Sequence, residues 1–516
     1  MNQVETLERW LVQQSVELYS VRNWGSAFFD INSKGEAVVK LTSGERSIDV
    51  SLMDVVAGLH ERGITMPVLL RFRDILDRTI ARLNESFAEA IQAAGYKGCY
   101  RGVFPIKVNQ QQQVIDEIAT FGKRYHHGLE AGSKAELLIA QAYLRDPEAY
   151  VVCNGYKDAE FIDLALSGQK LGIRTILVIE MPSELDLVLE RAEKMGVRPC
   201  LGVRLKLSSK VGGKWSESSG DRSTFGLTMA DTIRTVDVLR ERDMLDCLQM
   251  VHYHMGSQIP NIMSIRAAVT EAVRVYVELA KEGAAMGILD IGGGLAVDYD
   301  GSHTNFAASR NYDLKEYCAD VVETVMRACD KEGLAHPTII TESGRYLVSY
   351  SSVLIFNILD TLSMDQGKIP EALPEDAPEQ IKNLAEILRG ISPKNVQECF
   401  NDAMFYRDEI RTAFTAGTIT LRHRALGEQY FWRIAVRVAQ ECQGLKYVPE
   451  ELRNLENVLC DIYYGNFSVF QSLPDSWAIG QLFPMMPIHR LNERPTRNAT
   501  FSDITCDCDG KIDAFI

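Results

Sequence analysis

The chain has 516 residues, 46% of them hydrophobic and 24% charged, with a formal net charge of −15 at pH 7. This length predicts two or three domains of ordinary globular composition, and the charge argues against nucleic acid or an anionic membrane as a partner. No signal-peptide pattern opens the chain and no apolar run approaches membrane-spanning length, so we expect a cytoplasmic protein. Eleven cysteines without a CxxC pair favour reduced thiols over a zinc ribbon.

The N-terminal segment, residues 1–64, is predicted to contain a helix over 4–18 and a β-hairpin. Two β-rich runs, 27–31 and 37–41, flank the turn sequence Asn32-Ser33-Lys34-Gly35. A glycine-containing turn between two such runs is typical of a hairpin. We expect this hairpin to join a β-domain that is completed later in the chain.

Residues 65–345 alternate strand-like runs with helix-length segments, after a helical pattern over 69–94. This alternation predicts right-handed parallel βα units. Eight units over about 250 residues match an α/β fold of the TIM type, a (β/α)8 barrel, and the alternative is an open doubly wound sheet. The eight runs are 102–108, 127–130, 150–153, 175–180, 200–207, 248–254, 288–291 and 338–342.

After residue 345 the pattern changes from alternating units to β-runs interrupted by helices. A β-run lies in 346–375, helical periodicity covers 376–460, and short apolar segments return in 461–516. We interpret 1–64, 346–375 and 461–516 as one β-domain built from both chain ends, with 376–460 as a helical insertion.

Lys107 lies within the first apolar run of the predicted barrel. A buried ammonium is costly, so its pKa falls and it becomes a neutral amine that attacks carbonyls such as the aldehyde of pyridoxal phosphate. The alternative is a lysine whose stem packs in the core while its ammonium reaches the surface.

Polar residues follow most of the other runs, at the strand ends where barrels place their active sites. Gly292, Gly293 and Gly294 allow backbone N–H groups to approach an anion, and a following helix N-terminus would add favourable charge. Val297 breaks the dinucleotide fingerprint, which disfavours NAD but not a single phosphate. Arg345, after the eighth run, can bind phosphate in a fork geometry. The alternatives are a sharp turn at the glycines and a surface pair between Glu342 and Arg345.

Two further clusters of chemically reactive side chains remain ambiguous. His252 and His254 share one face of a strand, which suits a metal half-site without a third local ligand, or a His254 ring stacked on a flat cofactor. Cys506 and Cys508, with Asp507 and Asp509 before Gly510, suit part of a metal site, a turn between strands, or a reactive thiol beside a carboxylate.

The motifs then show a resemblance to a known family. They resemble, in order, those of the alanine-racemase-like (fold type III) pyridoxal-phosphate decarboxylases, and among these the family of biosynthetic arginine decarboxylases. The similarity covers nearly the whole chain, including the helical insertion. The motifs are Phe104 to Asn109, Glu130 to Glu136, His254 to Gln258, Asp290 to Gly294, Thr341 to Arg345 and Thr505 to Asp507.

The resemblance implies an activity and an assembly. It implies pyridoxal 5′-phosphate and Mg²⁺ as cofactors, and decarboxylation of L-arginine to agmatine and CO₂ as the first step of a polyamine route. It implies a homo-oligomer, dimer or tetramer, whose active sites are shared between subunits. The family continues beyond Ile516 with further strands and a phosphate-binding tyrosine, so we expect this chain to lack part of the β-domain and to retain the cofactor weakly.

The resemblance also implies roles for individual residues. Lys107 matches the Schiff-base lysine, His254 the ring-stacking histidine, and Glu342 the partner of the pyridine nitrogen, where a glutamate favours decarboxylation over racemisation. Cys506 matches a proton donor and Asp507 a contact of the substrate's distal cation, both from the neighbouring subunit. The matches to the phosphate cradle are Ser257, Gly292, Gly293, Gly294 and Arg345, and those to the substrate region are Leu289, Asp290, Asp298 and Tyr299.

Two competing hypotheses remain. One is the same chemistry on ornithine, lysine or diaminopimelate. The other is a non-catalytic relative that regulates a partner subunit, which should have lost Lys107 or Cys506, and both residues are present.

Overall fold

The structure is a computed structural model that describes residues 10–43, 46–208, 223–364, 369–443 and 445–516. It divides into two compact units. Unit 1 comprises Met1–Leu354, Ile479–Glu493 and Ile516, and unit 2 comprises Ile355–Ala478 and Arg494–Phe515. The sequence assigned the N-terminal hairpin and residues 479–493 to the C-terminal β-domain, whereas the structure groups both with the barrel.

Eight parallel strands of unit 1 close into a barrel, which confirms the (β/α)8 prediction and excludes the open sheet. The order around the barrel follows the chain from β5 to β12, with β12 paired to β5. The strands are β5 Tyr100–Pro105, β6 Gly128–Ala131, β7 Tyr150–Cys153, β8 Arg174–Ile179, β9 Leu201–Arg204, β10 Leu248–His252, β11 Ile288–Asp290 and β12 Thr338–Thr341.

Successive side chains of the barrel strands alternate between two apolar layers. Val103 and Ile288 belong to a cluster contributed only by strands, whereas Phe104 and Leu289 pack in a larger cluster with the helices. Because both faces of each strand are covered, the strands read as continuous apolar runs. The polar exceptions therefore concentrate where the strands end.

Helices connect the barrel strands, and local sequence signals set their ends. Asp158 caps α7 by accepting from the Phe161 N–H at 2.9 Å, and α8 begins at Pro182 and is followed by Gly196 in the left-handed region. The helices are α4 Arg73–Ala94, α5 Gln112–Gly122, α6 Lys134–Tyr143, α7 Ala159–Lys170, α8 Pro182–Met195, α9 Met229–Glu241, α10 Ile262–Lys281, α11 Leu314–Glu332 and α12 Gly344–Val348.

The N-terminal hairpin is present but forms a sheet separate from that of unit 2. Asn32 Oδ1 accepts from the Lys34 and Glu36 N–H groups at 2.9 and 3.0 Å, and Gly35 has a φ of +78°. Ala37 donates its N–H to Ile488 O at 2.9 Å, so the hairpin pairs with chain that returns late in the sequence. The elements are α1 Val12–Leu18, α2 Val21–Trp24, β1 Phe29–Ile31, β2 Ala37–Ser43, β3 Arg46–Ser51, α3 Leu52–Glu61, and β4 Val68–Arg71, which pairs with β13 Ser352–Ile355.

Unit 2 combines a helical bundle with a four-stranded sheet. The predicted insertion consists of three long helices around its own apolar core, and the sheet has the order β14-β15-β16-β17. In the described parts of the chain, no helix has the length and apolar composition needed to cross a bilayer. The elements are β14 Ile358–Leu362, α13 Glu379–Gly390, α14 Val396–Thr415, α15 Leu421–Cys442, α16 Leu455–Val458, β15 Asp461–Gly465, α17 Val469–Ser472, α18 Pro474–Ile479, β16 Ala499–Ser502 and β17 Lys511–Ile512.

Candidate active site

The carboxyl ends of the barrel strands bring together most of the polar residues that the sequence singled out. Asn154, after β7, donates its amide to Glu342 Oε1 at 2.7 Å, although the two residues lie 188 positions apart. Arg204, at the end of β9, pairs with Glu180 Oε1 at 2.8 Å, and lowers the pKa of that carboxyl although burial opposes the shift. The strands thus assemble a buried, mainly acidic floor.

Lys107 lies above this floor in a short 3₁₀ turn, Ile106–Val108, immediately after β5. The expectation that it lies inside a strand is wrong, because the chain turns after Pro105 and the lysine is exposed. The expectation of a lowered pKa is also wrong. Glu130 raises the pKa of Lys107, with contributions from Glu342 and Glu180, and this outweighs desolvation. The amine is an ammonium held over carboxylates.

The carboxyl groups of the floor are less acidic than usual. Burial raises the pKa of Asp290 to about 7. Burial also raises the pKa of Glu130, and the nearby Glu342 carboxyl raises it further. The pKa of Glu342 is raised by burial first and then by the Asp290 carboxyl. Because these groups cannot all be ionised cheaply, the site favours a cationic ligand or a ligand that brings its own proton.

His254 is fixed as a neutral ring by the glycine-rich loop. The Gly293 N–H donates to His254 Nδ1 at 3.1 Å, which places the ring proton on Nε2. Burial first, and then the nearby cations Arg204 and Lys107, hold the pKa of His254 well below its usual range. A Cβ added to Gly293 would lie 3.1 Å from His254 Cε1, so a small residue is needed for this contact.

A group of hydrogen-bond donors lies beside the same loop. Arg345 Nε donates to Ser257 Oγ at 2.9 Å, and Arg345 also donates to the Tyr299 hydroxyl at 3.4 Å. The Gly292 N–H is already bonded to Asp290 Oδ1 at 2.9 Å, whereas the Gly294 N–H has no hydrogen-bond partner among the described residues. The helix predicted after the glycines is absent there, since α11 begins only at Leu314.

The remaining predicted site residues are not all brought together. The Leu289 side chain is fully buried in the apolar layer between strands and helices, and its contact with substrate stays a prediction. Asp290 faces the barrel interior. Asp298 accepts a hydrogen bond from Ser309 Oγ at 2.7 Å, and its neighbour Tyr299 belongs to a small separate apolar cluster. Cys506 and Asp507 lie exposed in unit 2.

The loop that carries Cys506 and Asp507 is organised by one buried carboxylate. Asp503 accepts from the Thr505 N–H at 2.8 Å and from the Val469 N–H at 2.9 Å. The Gly510 N–H closes the turn on Asp507 O at 2.9 Å. The thiol therefore stands on a defined turn of unit 2.

Sequence reasoning missed a buried ion pair beneath the site. Lys157 Nζ lies 3.3 Å from Glu184 Oε2, and the two side chains are 0% and 2% exposed. Glu184 also accepts from the Glu180 N–H at 2.8 Å. The available signals were a lysine two residues beyond a strand-end turn and a glutamate in the first turn of α8.

The described residues offer one group that could hold a metal ion, formed by His252, Asp290 and Glu342, whose ligand atoms lie within 4.8 Å of one another. One imidazole and two carboxylates do not suit Mg²⁺, which prefers oxygen ligands in octahedral geometry. Among the described residues, this group is therefore not a fitting site for the Mg²⁺ expected from the family resemblance.

Comparisons with known proteins agree over nearly the whole chain. The pyridoxal-binding domain of the pyridoxal-dependent decarboxylases matches residues 79–349, and the arginine decarboxylase helical bundle domain matches 374–456. The biosynthetic arginine decarboxylase of Gloeobacter violaceus is 47% identical over 510 residues, which is 99% of this chain and 79% of that protein.

A further relative and a crystal structure extend this agreement. The biosynthetic arginine decarboxylase of a Nostoc species is 46% identical over 507 residues, which is 98% of this chain and 74% of that protein. The crystal structure of the biosynthetic arginine decarboxylase from Campylobacter jejuni matches with a TM-score of 0.83 at 33% identity. That match covers 96% of this chain and 79% of the other.

Proposed function

This chain belongs to the pyridoxal-dependent decarboxylases, in the family of biosynthetic arginine decarboxylases, and we propose that it converts L-arginine to agmatine and CO₂ with pyridoxal 5′-phosphate, the first step of a polyamine route. The observation that carries the proposal is the meeting of Lys107, His254 and Glu342 at one end of a barrel. The match of 374–456 to the arginine decarboxylase helical bundle supports arginine over ornithine, lysine and diaminopimelate.

The residues present fit pyridoxal 5′-phosphate, which supplies an electron sink for the carbanion left when CO₂ departs. Ser257, Arg345 and the Gly294 N–H would bind its phosphate. A Cβ on Gly292 would lie 2.2 Å from Tyr253 O, so the loop needs glycine at this position. The basic amine of Lys107 would hold the aldehyde end, and the His254 ring would support one face.

Glu342 would hold a proton at the pyridine nitrogen. Its carboxyl is 5% exposed and has a raised pKa because of burial and Asp290, so a proton shared with a ring nitrogen relieves an unfavourable charge. Asn154, which donates at 2.7 Å, fixes the orientation of this carboxyl. Glu342 thereby keeps the ring electron-poor.

Proton delivery and substrate choice would fall to unit 2 of a neighbouring subunit. By family likeness, the Cys506 thiol of a partner copy gives a proton to the substrate's α-carbon, and Asp507 binds the guanidinium. Both side chains are exposed and therefore available to another copy. This assignment requires a homo-oligomer. Mg²⁺ stays an expectation from the same likeness.

The first experiment identifies the substrate and the reactive lysine together. The protein with pyridoxal 5′-phosphate is given a mixture of arginine, ornithine, lysine and diaminopimelate, and agmatine should be the amine that accumulates. Borohydride reduction followed by peptide mapping should label Lys107, and Lys107→Ala should lose both label and turnover. The exposed Lys97 gives the matched control, Lys97→Ala. Putrescine or cadaverine as the main product, or lysine that rises above the amount supplied, contradicts the proposed substrate. If no lysine of the protein is labelled, the proposed chemistry is wrong.

A second experiment tests the shared site. Lys107→Ala and Cys506→Ser should each be nearly inactive alone. Mixed and reassembled, they should recover roughly a quarter of the wild-type activity, because half of the randomly formed dimers are mixed and each mixed dimer has one intact site. No recovery, with exchange verified by mass spectrometry, would contradict sites shared between subunits.

A further inference from the structure

Glu130 is a buried carboxyl that the proposed reaction leaves without a role. It lies in β6, it is 0% exposed, and neither of its carboxyl oxygens has a hydrogen-bond partner among the described residues. The other floor carboxyls, those of Glu180, Asp290 and Glu342, each accept at least one hydrogen bond. Because an unpartnered buried carboxyl is costly, its donor has to come from a side chain that moves or from a ligand.

The strand register places this carboxyl next to the turn that carries Lys107. Glu130 is aligned with Pro105 across β6 and β5, and Lys107 follows Pro105 by two residues. On its other side Glu130 is aligned with Val152, which packs in the cluster contributed only by strands, so Glu130 faces the barrel interior. The carboxyl and the amine therefore lie on neighbouring segments at the same end of the barrel.

Lys107 has no fixed partner of its own. Its side chain is exposed, and it makes no hydrogen bond or close ion pair with the described residues. Glu130 raises the pKa of Lys107 more than any other group does. Burial and Arg204 oppose this shift, and Glu342 and Glu180 add to it. An unpaired ammonium thus lies near an unpaired carboxyl.

The chemistry requires this ammonium to lose a proton. Only the neutral amine attacks an aldehyde, so a proton has to leave Lys107 Nζ before the cofactor can be held covalently. Burial first, and then the Glu342 and Glu136 carboxyls, raise the pKa of Glu130 to about 8, although Lys107 opposes the shift. Compared with a glutamate of the usual pKa of 4.5, this makes transfer of the proton to Glu130 more favourable by more than about a hundredfold.

We propose that Glu130 is the proton acceptor of Lys107. An N–H bond at Nζ breaks and an O–H bond forms on the Glu130 carboxylate, so that ammonium and carboxylate become amine and carboxylic acid. The neutral amine is then free to attack the cofactor aldehyde. When the amine of the substrate displaces the lysine, the proton returns from Glu130 to Nζ. The proposal rests on the proposed function, because it assigns Lys107 to the cofactor.

The test separates covalent capture of the cofactor from its non-covalent binding. Stopped-flow absorbance measures how fast the apoprotein captures pyridoxal 5′-phosphate. Fluorescence titration measures the affinity for pyridoxine 5′-phosphate, which has an alcohol in place of the aldehyde. Glu130→Gln should slow capture near neutral pH by at least about a hundredfold, because proton transfer by a positioned group contributes that much. Its affinity for pyridoxine 5′-phosphate should stay close to that of the wild type, which also shows that the variant is folded.

The direction of the change in rate distinguishes proton transfer from a purely electrostatic role. If Glu130 only stabilised the ammonium, its loss would lower the pKa of Lys107, increase the fraction of neutral amine and speed capture. Faster or unchanged capture in Glu130→Gln would therefore overturn the proposal. Glu130→Asp, which keeps a carboxyl, should capture the cofactor faster than Glu130→Gln does.

The dependence of the capture rate on pH gives an independent readout. In Glu130→Gln the rate should rise about tenfold per pH unit until Lys107 titrates, because only the free amine reacts. In the wild type the rise should level off once Glu130 is ionised, and a wild-type profile without this plateau would contradict the proposal. The matched control is Glu136→Gln, whose amide oxygen can still accept from the Gly132 N–H as the carboxylate does at 2.8 Å, and it should keep the plateau. If the wild-type protein does not capture the cofactor at Lys107, the proposed function itself fails.

Discussion

The ion pair between Lys157 and Glu184 gives the sharpest test of how the site is supported. Its ammonium also donates to Gly155 O at 2.6 Å, and its carboxylate accepts from the backbone N–H groups of Glu180 and Lys157 at 2.8 and 3.2 Å. The pair thus connects the turn after β7 to the first turn of α8, next to the strand end that carries Glu180.

Removing one partner should destabilise the barrel strongly. Both side chains are almost fully buried, so Lys157→Met leaves an uncompensated buried carboxylate and Glu184→Gln leaves an uncompensated ammonium. Such changes cost about 3–5 kcal/mol each. The double variant removes both charges while glutamine still accepts one backbone N–H, so its loss should be smaller than the sum of the two by at least about 2 kcal/mol.

Amide hydrogen exchange of the β7, β8 and β9 peptides measures this free energy in the barrel itself, without treating the whole chain as one cooperative unit. The matched control is Lys315→Met, which removes a pair with Glu89 at 2.9 Å whose side chains are 75% and 63% exposed. That control should cost less than about 1 kcal/mol. Equal losses for Lys157→Met and Lys315→Met, or losses that simply add in the double variant, would refute the reasoning.

Two further predictions concern acid stability and the cofactor cradle. Burial lowers the pKa of His127 to about 4, so the unfolded chain binds a proton that the folded chain does not; stability should fall by up to about 3 kcal/mol as pH drops from about 6.5 to 4. His127→Phe should flatten this dependence of stability on pH. The measurement is urea unfolding of the barrel, monitored by hydrogen exchange. An unchanged slope of stability against pH would show that another group causes the dependence. Gly292→Ala should weaken pyridoxal 5′-phosphate binding by at least about tenfold, because Gly292 has a φ of +63° and its Cβ would lie 2.2 Å from Tyr253 O. Fluorescence titration measures this, with Gly172→Ala, which also has a positive φ but open space around its Cβ, as the control that should bind normally.

The sequence alone determined the barrel and the position of its site. Apolar runs and amphipathic segments alternate along the chain because each strand and each helix must bury its own face, and that requirement is local. The requirement for glycine at Gly35 and Gly292 is also local, because both residues have a positive φ that favours glycine. Since parallel strands place their carboxyl ends at one edge, polar residues at the ends of separate runs had to meet.

Only the tertiary structure determined which charged groups face one another at the strand ends, and therefore their pKa values. Lys107 was expected to lose its charge by burial, and it instead faces Glu130 and Glu342, which come from strands elsewhere in the chain. The bond between Asn154 and Glu342 and the group around His252 likewise join residues far apart in sequence. No periodicity encodes such partners, because a pKa depends on the charges and the burial that the whole fold brings to one point.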